Sequence, residues 1–385
     1  MNIGMLTHHW PPNFGANLQA TSTFLLLKKL GHYPIFLNYR PPKLEKKYRS
    51  LVSAEQYQRH VEHANRFYKQ TDILCCEEDM AAWCQDSDID MVLAGSDTIL
   101  RVRKKEQTEE NRFPNPFWML WTEKVNPRPK TAMISASSEG TYYWFFSKDI
   151  KQRMTKALLL LDSIAVRDRW TQNMVRYLTH GRIIPTITPD PVSVLNKLLP
   201  DSPPEEGKPK ALSKQYVLLY FSPRLYPAFW IKEFVNLAHQ QDLQVFSLPN
   251  PFRVTDLSVD RQLPLPMSPL EWYFWIRHSA GIICNAFHTV TSCIYNDVPF
   301  LSIDASGPTR LKCLAFRKSS KAYDAAMNVN MTGSSYLPLQ ARLLLSPKRA
   351  LQKLRKVTPG SYEPYASDAT LGYQEYLRNM IQSLS

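Results

Sequence analysis

The sequence predicts an α/β protein built from two Rossmann-like domains facing a cleft. Three observations carry that prediction. Short apolar runs alternate with helical periodicity along most of the chain, the pattern of a parallel sheet covered by helices. The alternation occurs twice, separated by a Pro-rich polar stretch at residues 199–214 of the kind that joins domains. Several apolar runs also end abruptly in small or charged residues, at the carboxyl edge where open α/β sheets bind ligands.

Residues 2–6 read as the first strand, and 8–13 hold two prolines that continue neither strand nor helix. Residues 16–30 have helical spacing, with Leu18, Phe24, Leu25 and Leu30 on one face and Gly31 placed to cap the end. A second strand at 35–38 completes a right-handed βαβ opening. Residues 39–68 are polar, with Arg40, Lys43, Lys46, Lys47 and Arg49 close together, and read as solvated helix and loop. Strands follow at 90–94, 130–135 and 163–166, and helices at 150–161 and 171–178. The first of these strands runs into Gly95-Ser96-Asp97, the second into Ser137-Ser138-Glu139-Gly140 and the third into Arg167-Asp168-Arg169.

In the second series, strands are predicted at 216–221, 243–248, 281–284 and 299–303. A helix at 228–240 and another beginning at Ser268-Pro269-Leu270-Glu271, with Pro at its first position and Glu completing a capping box, lie between them. Ala286-Phe287-His288-Thr289 falls at a strand-to-helix junction, and an amphipathic helix closes the chain. The expected organisation is a first domain at 1–190, a linker or loop at 191–214, a second domain at 215–370, and a terminal helix at 371–385 packing back on the first domain. That layout is GT-B-like, with a ligand cleft between the halves.

Composition bounds the function. Of 385 residues, 44% are hydrophobic, enough to fill cores and exclude a disordered chain. Twelve glycines and no sustained heptads exclude collagen and coiled coil. Lys and Arg number 47 against 34 Asp and Glu, a formal charge of +13 that suits nucleic acid, a membrane surface or an anionic small substrate. No run approaches the roughly 18 apolar residues of a spanning helix, and the first residues lack a charged, then apolar leader, so a cytoplasmic location is expected. The six Cys form no CxxC pair and have no matching His spacing, so neither a metal nor another cofactor is expected.

No GxGxxG, Walker A, HExxH or GxSxG motif occurs, so chemistry must come from less familiar groups. His288 opens a helix, where an anion is favoured, and is either an acid or phosphate partner or a core His bonded to a carbonyl. Arg167 follows a strand directly and either grips phosphate or carboxylate or pairs at the surface with Asp168. Gly95, Ser96 and Asp97 offer close backbone approach, an oxyanion donor and a hydroxyl-orienting carboxylate, or else a simple Asx turn. Asn17 and Gln19 stand at a helix start, as cleft residues or as caps. Trp10, Tyr142, Tyr143, Trp144, Trp272 and Trp275 either stack on sugar or pack in the core, and packing is favoured.

These fragments occur in an order that resembles the polysaccharide pyruvyl transferase family. Gly15-Ala16-Asn17-Leu18-Gln19-Ala20 with Lys29-Leu30-Gly31-His32 is similar to its opening GA-x-LQA…LKKLGH. Residues 92–97 resemble its VGSDQVW segment, 134–140 its SYAASFG segment, 164–168 its ISVRE segment, and Pro189-Asp190-Pro191 its DP junction. Ser268-Pro269-Leu270-Glu271 and residues 284–288 resemble SPEEF…TNSFHG, and residues 296–300 resemble NKPF. The likeness spans residues 1–303. Departures fall at Ala286, where many members carry Arg, at Thr289 in place of Gly, and at Thr98-Ile99-Leu100 in place of Gln-Val-Trp.

The resemblance implies a GT-B-like fold and transfer of pyruvate from phosphoenolpyruvate to sugar hydroxyls as a ketal, in exopolysaccharide or cell-surface glycan biosynthesis. By residue matching it places Arg167 and His288 on the family's Arg and His of the phosphoenolpyruvate site; Ser96 and Gly95 are expected to join them there, and His288 and Asp97 are expected as catalytic groups. Asn17, Gln19, Arg101 and Arg103 are expected at the acceptor or cleft, with Lys104 and Lys105 nearby adding positive charge. Expected partners are phosphoenolpyruvate as donor substrate and a sugar, oligosaccharide or lipid-linked glycan acceptor, with peripheral contact at the inner membrane surface through 43–49 and 101–105 and no nucleic acid. A GT-B glycosyltransferase with a nucleotide-sugar donor is the alternative.

Overall fold

A computed structural model describes residues 1–103, 108–199, 215–304, 324–325 and 335–385. Lys104 and Lys105, most of the 199–214 stretch and Cys313 lie outside the described residues.

The first half holds strands β1 (Asn2–Leu6), β2 (Tyr33–Phe36), β3 (Met91–Asp97), β4 (Lys130–Ala136), β5 (Ser163–Val166) and β6 (Thr186–Ile187). They form one parallel sheet in the order β2-β1-β3-β4-β5-β6. Helices α1 (Phe14–Lys29), α2 (Pro42–Arg49), α3 (Ala54–Phe67), α4 (Glu77–Gln85), α5 (Lys148–Leu159) and α6 (Arg169–Leu178) connect and cover it. The central β3 is buried along its whole length, as a strand covered on both faces must be.

A short helix, α7 (Leu195–Leu198), follows a 3-10 turn over Pro191–Val194. The second half then builds β7 (Tyr216–Tyr220), β8 (Gln244–Ser247), β9 (Arg261–Gln262), β10 (Gly281–Cys284), β11 (Phe300–Asp304) and β12 (Tyr336–Pro338). Their order, β12-β11-β10-β7-β8-β9, is the doubly wound order of a dinucleotide-binding sheet read from its far edge. Helices α8 (Ala228–His239), α9 (Pro269–Arg277), α10 (Phe287–Tyr295), α11 (Pro347–Arg355) and α12 (Glu363–Leu384) complete it.

Two expectations change. Residues 191–198, read as linker, are helical, and Val192, Val194 and Leu195 are fully buried. Val192 and Leu195 join a core of the second half while Val194 joins one of the first, so this part of the connection is a shared wall. The terminal helix begins at Glu363, ahead of 371. Its Tyr373, Leu377, Met380 and Ile381, spaced for one helical face, pack with Ile3, Met5 and Phe24 of the first half. Thr23 and Tyr373 hydroxyls meet at 2.9 Å within that contact.

Helix α1 carries more than the single apolar face its spacing suggested. It is buried on nearly all sides, because Phe14 and Leu18 enter the core of the second half while Ala20, Phe24 and Leu27 face the first. Phe14 stacks on Trp272 with centroids 5.5 Å apart. Its buried hydroxyls turn inward, with Thr21 bonded to the Asn17 carbonyl at 2.8 Å and Ser22 to that of Leu18 at 2.7 Å. From α3, Gln56 grips the backbone of Met267 in the other half, donating to its carbonyl and accepting from its N–H, each at 2.8 Å. These contacts fix the two sheets with their carboxyl edges toward each other.

Candidate functional site

The site lies where the switch points of the two sheets meet. In the first sheet, β1 leads into α1 and β3 delivers Ser96; in the second, β10 leads into α10. The N-termini of α1 and α10 therefore converge. Their contact is tight: a Cβ on Gly15 would stand only 2.6 Å from the His288 Cβ and nearer still to its ring, so only glycine fits there. Converging positive helix ends create a place for negative charge. Asn13 caps α1, its side chain accepting from the Ala16 N–H at 3.3 Å, but Ala286 at the start of α10 offers no side-chain cap.

Arg167 is the centre of the group. It leaves β5 at the carboxyl edge and is buried, its side chain 3% exposed. Asp168 is not its partner, as a surface pair would require. Arg167 Nη1 donates to Asp190 Oδ2 at 2.7 Å and to Gln19 Oε1 at 3.2 Å. Asp190, 1% exposed, also caps the 3-10 turn through the Val192 N–H at 3.0 Å. His288 Nδ1 lies 3.8 Å from the same Asp190 Oδ2. Gln19 Oε1 also accepts from the Ser96 hydroxyl at 2.7 Å, and the Arg167 guanidinium lies 4.7 Å from the Phe287 ring centroid. Arg167 Nε and Nη2 and Gln19 Nε2 are buried donors with no hydrogen-bond partner among the described residues. Buried donors are rarely left so, and three on two side chains that touch each other suit a site for oxyanions.

The structure thus joins Gln19, Ser96, Arg167 and His288, and adds Asp190, Phe287 and Gly15. Asp190 was visible only as part of a DP junction, and Gly15 only as part of the helix start. Gly95 has another role. It sits at φ +120°, and a Cβ there would collide with the Ile134 carbonyl oxygen, so its glycine serves packing of β3 on β4. Asn17 is likewise no cleft residue. Its carboxamide is fully occupied inside, donating to the His9 carbonyl and meeting His60 Nδ1, both at 2.6 Å.

Asp97 belongs to a neighbouring group. Its carboxylate accepts from the Thr98 N–H at 2.7 Å, and its charge acts on Tyr48 and Arg101. Arg101 pairs with Glu139 and donates to Asn111 at 2.7 Å, while Tyr48 donates to Glu110 at 3.1 Å. Arg103 is exposed, its N–H bonded to the Asn111 carbonyl at 2.9 Å. The basic residues of α2 are also partly matched: Arg49 pairs with Glu45 at 3.0 Å, and Lys47 lies 3.8 Å from Glu110.

Beneath α1 lies a polar layer the sequence did not reveal. Desolvation lowers His9, His60 and His63 each to about 3, so all three rings are neutral. His63 Nε2 meets the Thr21 hydroxyl at 2.8 Å, and Gln56 links His60 at 2.9 Å. Burial also pushes the thiols of Cys84 and Cys284 up to about 12, as inert core groups. Among the described residues, no group of three or more His, Cys, Asp or Glu is arranged to hold a metal, and no helix is long and apolar enough to cross a membrane.

The sequence matches the family model described as polysaccharide pyruvyl transferase over residues 13–307. No curated protein matches the chain. Among solved structures, a UDP-GlcNAc 2-epimerase from Neisseria meningitidis bound to UDP-GlcNAc is similar at TM-score 0.56 and 11% identity, covering 100% of this chain and 99% of that one. The UDP-GlcNAc 2-epimerase from Methanocaldococcus jannaschii gives TM-score 0.55 and 9% identity, covering 99% and 100%. At such identities the likeness concerns the fold, two parallel-sheet α/β domains in a GT-B-like arrangement.

Proposed function

This chain belongs to the polysaccharide pyruvyl transferase family, and from that premise we propose that it transfers pyruvate from phosphoenolpyruvate to two hydroxyls of a cell-surface glycan precursor. The observation that carries the reading is the set of buried, unpartnered donors on Arg167 and Gln19 beside two converging helix N-termini. Phosphoenolpyruvate carries about three negative charges in a small volume, and such a group suits charge-assisted donors.

In this reading Arg167 Nε and Nη2 bind the phosphate or carboxylate, and Gln19 Nε2 adds a neutral donor. Gln19 and Asp190 hold the guanidinium by its other nitrogen, so its free edge is oriented before the donor arrives. Protonation at C3 of the enol leaves an oxocarbenium-like centre at C2. One sugar hydroxyl attacks C2, inorganic phosphate departs, and the second hydroxyl closes the ketal. His288 is assigned to phosphate binding or to protonation at C3, its Nδ1 standing 3.8 Å from Asp190 Oδ2.

The test begins with donor choice. Phosphoenolpyruvate is expected to raise the melting temperature and uridine diphosphate to leave it unchanged; the reverse would favour a nucleotide-sugar glycosyltransferase. Phosphate release from phosphoenolpyruvate should require a sugar acceptor, with a pyruvate adduct detected by mass spectrometry. Full turnover in His288→Ala would remove the role given to that ring.

A further inference from the structure

A cavity of about 350 Å³ opens beside Arg167, and its lining differs from that of a pure anion site. Among the described residues its charged groups are Arg167 and Arg169 with Asp168, Asp190 and Asp324, two guanidinium groups against three carboxylates. Arg167 is already matched by Asp190. Among the described residues the remaining wall has no surplus positive charge for a second polyanion. It does have an unsatisfied acceptor. Asp168 caps α6 through Oδ1, which accepts from the Thr171 N–H and hydroxyl, both at 2.8 Å. Its Oδ2 is buried without a hydrogen-bond partner among the described residues, on a residue 4% exposed. Asp324 joins the same wall, accepting from the Arg169 N–H at 3.3 Å. Burial, with the Asp168 charge adding to it, raises Asp324 to about 6.

The lining also holds three aromatic residues, Phe287, Tyr295 and Tyr365. The two tyrosine rings lie nearly parallel, 13° apart in plane with centroids at 6.4 Å. Ring faces meet the C–H faces of a pyranose, and carboxylates accept from its hydroxyls. The volume lies at the small end of ligand pockets, suited to about one sugar ring.

We infer that this cavity is an acceptor subsite for one neutral pyranose, with Asp168 Oδ2 and the Asp324 carboxyl accepting from hydroxyls and Phe287, Tyr295 and Tyr365 forming the apolar wall. The inference rests on the transferase reading above for its meaning, but sugar binding itself needs no donor. It places the acceptor on the Asp168 side of Arg167.

The experiment is saturation-transfer NMR on the full chain with the methyl α- and β-glycosides of glucose, galactose, mannose and N-acetylglucosamine, without donor. At least one glycoside should receive saturation. That signal should fall at least fivefold in Asp324→Asn and in Tyr365→Ala, while stabilisation by phosphoenolpyruvate persists. Asp168→Asn keeps a capping oxygen and should weaken the sugar in the same way. No transfer to any glycoside, or equal transfer in Asp324→Asn and Tyr365→Ala, overturns the subsite. Sugar binding lost in the variants without any stabilisation of the wild type by phosphoenolpyruvate would uphold the subsite and sink the donor assignment.

Discussion

The two halves share a six-stranded parallel sheet, yet they are built differently inside. The first half buries polar groups that depend on one another: His9, His60, His63, Asn17 and Gln56 lie under α1, and Ser96, Gln19, Arg167 and Asp190 lie at its sheet edge. Near α9 the second half is largely aromatic, with Trp272, Tyr273, Phe274, Trp275 and Tyr216 in one core. Its own His239 and His278 are exposed, and its share of the Arg167 group is Phe287 and His288 at one helix start. The comparison teaches that a repeated topology need not divide chemistry equally. One half presents hydrogen-bonding groups held by their neighbours; the other supplies a firm apolar platform and two rings.

The sharpest way to break that contrast is Arg167→Ala. It strands Asp190 as a buried charge, and the expected loss is about 3–5 kcal/mol in urea unfolding. Arg167→Met with Asp190→Asn should recover much of that stability but none of the stabilisation by phosphoenolpyruvate. A loss below about 1 kcal/mol in the single variant would mean the buried pair does not organise the edge.

Acid comes next. Above about pH 6.5 the three buried histidines are neutral in folded and unfolded chains alike. Below it the unfolded chain takes up protons that the folded rings refuse until about pH 3. Stability should therefore fall as pH drops from 6.5, by about 1.4 kcal/mol per histidine per pH unit. Hydrogen exchange at pH 5.5 should show α1 and α3 opening before α8 and α9; uniform opening would erase the distinction between the halves.

Gly15→Ala tests the contact between them. In an exposed helix this change gains about 1 kcal/mol. Here the new methyl meets His288, so a net loss of about 1–3 kcal/mol is expected. The clash involves the His288 Cβ as well as its ring, so the sign should reverse only in a His288→Gly background, and a gain in the single variant would show that the helix ends are not pressed together. The smallest effect is reserved for the surface. Lys124→Ala removes an exposed pair with Glu78, 3.0 Å long, and should shift stability by no more than about 0.5 kcal/mol in either direction.

Much of the frame was legible in the chain. Strands at 163–166 and 281–284 coincide with the observed β5 and β10, because each is a short apolar run bounded by polar or small residues. Helix ends moved by a few residues where caps such as Asn13 and Ser147 start a turn earlier than the apolar spacing does. The positions of Arg167 and His288 at strand-to-helix junctions were also readable, since a strand end fixes where the next side chain emerges.

Partners were not readable. Arg167 meets Gln19 from 148 positions away and ignores the adjacent Asp168, which turns to cap α6. Asn17 and Gly95 have the composition of a binding loop but are consumed by packing, one bonded at both ends of its carboxamide and the other pressed against Ile134. Local sequence determined the elements and the edge on which the charged residues stand, because periodicity and capping act over a few residues. Only the tertiary structure decided which charge faces which, and therefore which donors are left for a ligand, because desolvation and pairing depend on chain segments brought together by the fold.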